Sequence, residues 1–160
     1  MIEIMNYDVW GDWDTTVGPN APLNDTCAPV VNQAGSAVSA IKAWTSANFP
    51  VCQIILGVAS YGHSFFVPRS IATAPKGDIA EYPVFNKSLQ PSGDKWDDAA
   101  GVDECGTATS KGGIFDFWGM VDGGFLDAKG MAAKGIDYRY DNCSQTVCLL
   151  LFWLRGHYYC

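Results

Sequence analysis

Positive charge is what this 160-residue chain has least of. Ten Lys and Arg stand against seventeen Asp and Glu, giving a net charge of −7 and a pI near 4.5. A phosphate backbone would be repelled, so nucleic acid is not an expected partner. No basic amphipathic stretch is present to meet a membrane surface. Long hydrophobic runs are missing too: the most apolar segment, 148–154, falls far short of the roughly 20 residues that cross a bilayer. No membrane partner is expected. Internal repeats and low-complexity tracts are absent. So is an export signal, because "MIEIMNYD" has no basic start, no long apolar centre and no small-residue cleavage site.

What is there is the composition of a globular protein, 48% hydrophobic and 17% charged, sized for one ordinary domain or a piece of something larger. Six cysteines accompany three glycosylation sequons, Asn24-Asp25-Thr26, Asn86-Lys87-Ser88 and Asn142-Cys143-Ser144. Together they favour an oxidising, secretory setting. With no export signal to match, the front of the protein is expected to lie outside this sequence. The spacing of Cys143, Cys148, His157 and Cys160 matches none of the common zinc templates. Neither a metal nor a cofactor is expected. A disulfide such as Cys105 with Cys143 is the expected use of the thiols.

Along the chain, "IEIM" followed by "NYD" reads as a short buried strand, with Met5 and Tyr7 on one face by alternation. A Gly-, Pro-, Asn- and Asp-rich loop runs from Gly11 to Asp25. "GSAVSAIKAWTSANF" spaces its apolar residues as a helix, capped by Ser36 and ended before Pro50. "QIILGVASYG", residues 53–62, reads as a second buried strand of a parallel sheet. Strand, helix, strand makes a βαβ unit, with chemistry expected at the carboxyl ends of its strands. Residues 66–147 change texture, with strand-like pieces "EYPVF", "GIFDFW" and "IDYRY" and a short helix expected around 121–133. This is the texture of a small α+β insertion. The last residues, 148–160, lack both strand alternation and helix caps and are expected to pack poorly.

The strand ends carry a resemblance. Met5-Asn6-Tyr7-Asp8 resembles the M-x-Y-D motif on the sixth barrel strand of glycoside hydrolase family 18, the chitinases. "GVASYGHSF", residues 57–65, is similar to the seventh strand of that family, which leads into the chitinase insertion domain. "VGPNAPLNDTC" and "YRYDNCSQT" further resemble fungal members. The resemblance implies an α/β fold class: part of a (β/α)8 TIM barrel, about two strands, with a small α+β insertion domain. The expected division is 1–65 for the partial barrel, 66–147 for the insertion domain and 148–160 for a divergent tail. The family is extracellular and cleaves β-1,4 links between N-acetylglucosamine units, so the implied partner is chitin or chito-oligosaccharide. Sugars present flat apolar faces and hydroxyl edges, which suits aromatic rings beside a carboxylate.

By the same resemblance, Tyr7 would hydrogen-bond the N-acetyl oxygen and Met5 would line the floor of that subsite. Asp8 would bind the sugar or neighbouring side chains, Tyr61 would sit at the rim, and Trp10 and Trp13 are candidates for stacking. His63 stands where a common family pattern has an arginine, and Phe117 and Trp118 are candidates for the cleft wall. Each has a structural alternative: Met5 and Tyr7 as core, Asp8 as a turn residue, the tryptophans packed under the loop, His63 as a buried hydrogen-bonded side chain. Family catalysis is substrate-assisted and needs D-x-x-D-x-D-x-E, whose glutamate protonates the leaving oxygen. None of Glu3, Glu81 or Glu104 can complete that motif, so no catalytic residue is assigned and the chain alone is expected to be inactive. Two other function classes follow: a non-catalytic chito-oligosaccharide-binding module, or a small disulfide-stabilised secreted interaction protein.

Overall fold

β-branched Ile2 and Ile4 favour extended backbone at the start of the chain, and β1 (Ile2–Met5) forms there. After the long loop, Ser36 accepts a hydrogen bond from the Ser39 amide while the Ser39 hydroxyl contacts the Ser36 backbone. This capping box starts α1 (Ala37–Ser46) where the sequence predicts it. The chain returns as β2 (Ile54–Gly57), which pairs with β1 in parallel, Ile2 opposite Ile54 and Met5 opposite Gly57. The βαβ reading is therefore correct for these elements. The second strand is shorter than expected, because the chain bends between Gly57 and Tyr61 and begins β3 (Tyr61–Phe66) in a different sheet.

The computed structural model describes residues 1–151 and 157–160. Beyond β3 come α2 (Arg69–Ala72), the two-residue strands β4 (Gly101–Val102) and β5 (Ala108–Thr109), β6 (Ile114–Asp116) and α3 (Phe117–Asp122). The chain ends with β7 (Asp137–Asp141), β8 (Thr146–Leu151) and β9 (His157–Tyr159). Five of these strands make an antiparallel sheet in the order β6-β3-β9-β8-β7. The short helix lies at 117–122 rather than around 121–133, because Asp116 leaves β6 directly into it and the glycines at 123 and 124 end it. "EYPVF" forms no strand; Val84 makes a single bridge to Thr16.

The tail is the largest departure from the sequence reading. Expected to pack poorly, it supplies most of β8 and all of β9 to the five-stranded sheet; its middle, 152–156, lies outside the described residues. Leu150 and Tyr158 are buried in a core with Phe65, Val67, Phe85 and Val17, while Leu149 and Tyr159 are buried in another with Phe115 and Phe125. Neighbouring residues thus serve opposite faces, as strand geometry requires, and both faces are covered. Alternation vanishes from the sequence when a strand is buried on both sides.

The disulfide expectation also fails. Cys143 bonds to Cys27, with Cα atoms 5.7 Å apart, and Cys148 bonds to Cys160. Cys105 is an exposed free thiol on the turn between β4 and β5. Cys143 instead lies in the β7–β8 turn, which the backbone bond from Leu23 N to Ser144 O (2.8 Å) holds against the first loop. The Cys27–Cys143 link closes a sequence separation of 116 residues, so its removal should matter most to the unfolded state. In chemical unfolding, Cys27→Ser should lose roughly 2–5 kcal/mol, whereas Cys105→Ser should stay within about 0.5 kcal/mol of the parent. Equal losses from the two variants would contradict this division.

Candidate functional site

Asp8 follows the last residue of β1 by three positions and adopts a left-handed backbone, φ 54°. Few residues other than Gly tolerate that region, and Asp is among them. Its amide is held by a neighbour the sequence reading missed: Asn20 Oδ1 accepts from Asp8 N at 2.8 Å, and Asn20 Nδ2 donates to the carbonyl of Tyr61 at 2.9 Å. Asn20 is only 4% exposed. It joins the tip of the first strand to the start of β3, though 12 and 41 residues separate it from its two partners. No local pattern marks such a residue; its one signal is its place in the "VGPN" segment.

The Asp8 side chain makes the second tie. Tyr61 donates its hydroxyl to Asp8 Oδ1 at 2.6 Å, and His63 Nε2 lies 2.9 Å from the same oxygen. A carboxylate oxygen can only accept, so Nε2 is the ring nitrogen that carries the proton. Burial, then the bond to Asp8 and its charge, hold the Tyr61 phenol well above its ordinary pKa. It therefore remains a donor throughout the physiological pH range. His63 is buried, and its backbone exchanges two hydrogen bonds with Cys160, 3.0 and 3.2 Å. The last residue of the tail thus fixes the height of the site histidine.

Aromatic rings surround this knot. Tyr7 meets Tyr61 edge-on at 6.2 Å, Tyr61 meets His63 at 5.8 Å, and Trp13 meets His63 at 5.8 Å. Trp13 is 55% exposed, and its indole folds back onto Gly11, where a Cβ would overlap the ring. Asp14 secures this turn by accepting from the Gly11 amide at 2.9 Å. Lys87 donates to the Trp13 carbonyl at 2.8 Å. Trp10 goes the other way: it is buried, packed on Gly18 and on Tyr82 at 5.5 Å.

Asp8, Trp13 and His63 line one side of an open cleft of about 490 Å³. Residues 108–112 and Ile114, with Asp12, form the rest of its wall. That wall follows from strand register, since Ile114 is the partner of His63 across β3 and β6. The wall was not foreseen in the sequence. Of the residues that were, the structure brings Tyr7, Asp8, Trp13, Tyr61 and His63 together. Met5 is 70% exposed on the parallel pair and Trp10 is interior. Phe117 and Trp118 are exposed at the start of α3, where Phe117 N donates to the Ser60 carbonyl at 2.8 Å.

The chain is 55% identical over 148 residues, 91% of its length, to a chitinase-like effector of Moniliophthora roreri, and spans 36% of that protein. Its structure is similar to that of the chitinase RmChi1 from Rhizomucor miehei, with a TM-score of 0.77 and 26% identity, covering 98% of this chain and 40% of the other. It also has the fold of part of a chitinase from Cycas revoluta solved in complex with (GlcNAc)3, with a TM-score of 0.58 and 16% identity. That match covers 98% of this chain and 33% of the other. The chain thus spans between a third and two fifths of the length of these three relatives. The model of the glycosyl hydrolases family 18 matches residues 1–143, and this chain belongs to that family.

Proposed function

We propose that the cleft beside Asp8 binds a chito-oligosaccharide and that this chain does not cleave it. The observation that carries the reading is the pairing of an exposed, glycine-seated indole at Trp13 with an Asp8 carboxyl already anchored by Tyr61 and His63. An N-acetylglucosamine ring lays its apolar face on Trp13, and its hydroxyl edge meets Asp8 Oδ2, the oxygen turned away from the two donors. Tyr7, packed against Tyr61, offers its hydroxyl to the N-acetyl oxygen. Met5 keeps only the outer part of the role the family resemblance gives it, because it stands on the exposed side of the strand. Trp10 holds the loop up from beneath and is a support for the cleft, with no sugar face of its own. In this reading the parallel pair is the barrel part of the chain, and the antiparallel body is the family's insertion domain.

Cleavage requires a carboxylic acid within hydrogen-bond reach of the glycosidic oxygen. Asp8 is committed to two donors, which orient it for binding. Glu81 pairs with Arg139 of the edge strand β7, Glu104 is on the exposed β4–β5 turn, and Glu3 lies within β1. The name of the Moniliophthora relative, a chitinase-like effector, is in keeping with a family scaffold used without hydrolysis. The two disulfides support the extracellular setting of that role.

Titration calorimetry with chito-oligosaccharides should show binding that Trp13→Ala weakens by about tenfold, roughly 1.4 kcal/mol. Gly11→Ala, which displaces the indole and removes no contacting group, should weaken it in the same direction. Unchanged affinity in both variants would sink the stacking role. With a fluorogenic N-acetylchitobioside the purified chain should give no turnover. Turnover that survives repurification and vanishes in Asp8→Ala would show that Asp8 reaches the leaving oxygen after all.

A further inference from the structure

The three sequons are alike in sequence and unlike in the fold. Two of them converge on one disulfide. Asn24 lies three residues before Cys27 and Asn142 immediately before Cys143, and these cysteines are bonded with Cα atoms 5.7 Å apart. The Asn24 amide is tied up locally: Oδ1 accepts from the Asp25 and Thr26 amides and from the Thr26 hydroxyl, and Nδ2 donates to Cys27 Sγ. In the Asn142 sequon the hydroxyl belongs to Ser144, which is 2% exposed and donates to Asp141 Oδ2 at 2.6 Å. That bond helps to hold the Asp141 carboxyl below its usual pKa against the opposing effect of burial. Asn86 differs on each count. Residues 86–89 are all exposed, Asn86 Oδ1 accepts only a turn bond from the Ser88 amide at 3.0 Å, and the sequon contains no cysteine.

We propose that Asn86 carries an N-linked glycan and that closure of the Cys27–Cys143 disulfide keeps Asn142 unmodified. The transfer forms a bond from Asn86 Nδ2 to C1 of the first sugar of a lipid diphosphate-linked oligosaccharide. The bond from C1 to the phosphate oxygen breaks, the lipid diphosphate leaves with that electron pair, and the amide nitrogen gives up one proton. Transfer needs the asparagine and the hydroxyl of its sequon accessible on a surface loop. Asn86 meets this condition: residues 86–89 form an exposed turn, closed by the bond from Leu89 N to the Asn86 carbonyl at 3.1 Å, so the sequon opens without disturbing the core and a glycan there is compatible with the finished fold. Asn142 enters the oxidising compartment long after Cys27 and immediately ahead of Cys143, so disulfide closure withdraws Ser144 before transfer. The glycan on Asn86 then stands next to Lys87, whose ammonium donates to the Trp13 carbonyl at 2.8 Å. Its attachment point therefore lies one residue from a side chain that holds the Trp13 loop.

The experiment directs the full chain into the secretory pathway of a yeast host and releases glycans enzymatically in heavy-oxygen water. Mass spectrometry of the peptides then reads which asparagines carried sugar. Asn86 should be marked in most molecules and Asn142 in few, and Cys27→Ser should raise marking at Asn142 several-fold. Total microsomal protein is analysed beside the secreted protein, so that a variant retained in the cell still reports. An unmarked Asn86 would overturn the assignment of the site. Marking at Asn142 that is the same with and without Cys27 would overturn the role given to the disulfide.

Discussion

One oxygen atom, Oδ1 of Asp8, receives the hydrogens of Tyr61 and His63, and the geometry of the cleft depends on it. Asp8 comes from the tip of a parallel pair, while Tyr61 and His63 come from an antiparallel sheet. The two sheets share no strand, so the knot sets where one lies against the other at the site. Asn20 repeats the tie through backbone groups. A left-handed backbone at a non-glycine residue costs on the order of 1 kcal/mol. Here two charge-assisted hydrogen bonds and a part-buried amide bond offset that strain.

Behind the knot, the antiparallel sheet acts as a rigid backing. β3 pairs with β6 through Tyr61, Gly62 and His63 and with β9 through Ser64, Phe65 and Phe66. One strand thereby aligns the cleft wall and the closing segment of the chain at once. Phe65, Leu150 and Tyr158 seal one face and Phe115, Leu149 and Tyr159 the other. The Tyr158 hydroxyl donates to the Ala80 carbonyl at 2.6 Å, so its burial leaves no orphan donor. Cys148 and Cys160 join β8 to the residue whose backbone holds His63. Packing far from the cleft is in this way transmitted to the imidazole.

Much of the first third was legible in the sequence because its signals are local. Ser36 and Pro50 bracket a helix by cap chemistry, and β-branched runs mark the two strands that pair in parallel. The motif residues Tyr7, Asp8, Tyr61 and His63 were found by resemblance, but Tyr61 and His63 lie on β3 in the other sheet, and they meet Asp8 through its side chain and through Asn20. Asn20 and the 108–114 wall were not legible, because their roles depend on pairing between distant segments. The tail was misread for a stricter reason: a strand buried on both faces shows no alternation, so the "CLL" of residues 148–150 looks structureless to a period-two test. Cysteine pairing failed similarly, since spacing alone cannot choose among connectivities. The two tryptophans show how little residue type decides: a loop of the same composition buries Trp10 and presents Trp13.

The most direct test of this account is a crystal structure of the chain soaked with (GlcNAc)3. The account predicts a sugar ring stacked on the Trp13 indole, its N-acetyl group near Tyr7, with Asp8 still bonded to Tyr61 and His63. A trisaccharide bound only away from this cleft, or an Asp8 that leaves both partners to meet the sugar, would contradict it.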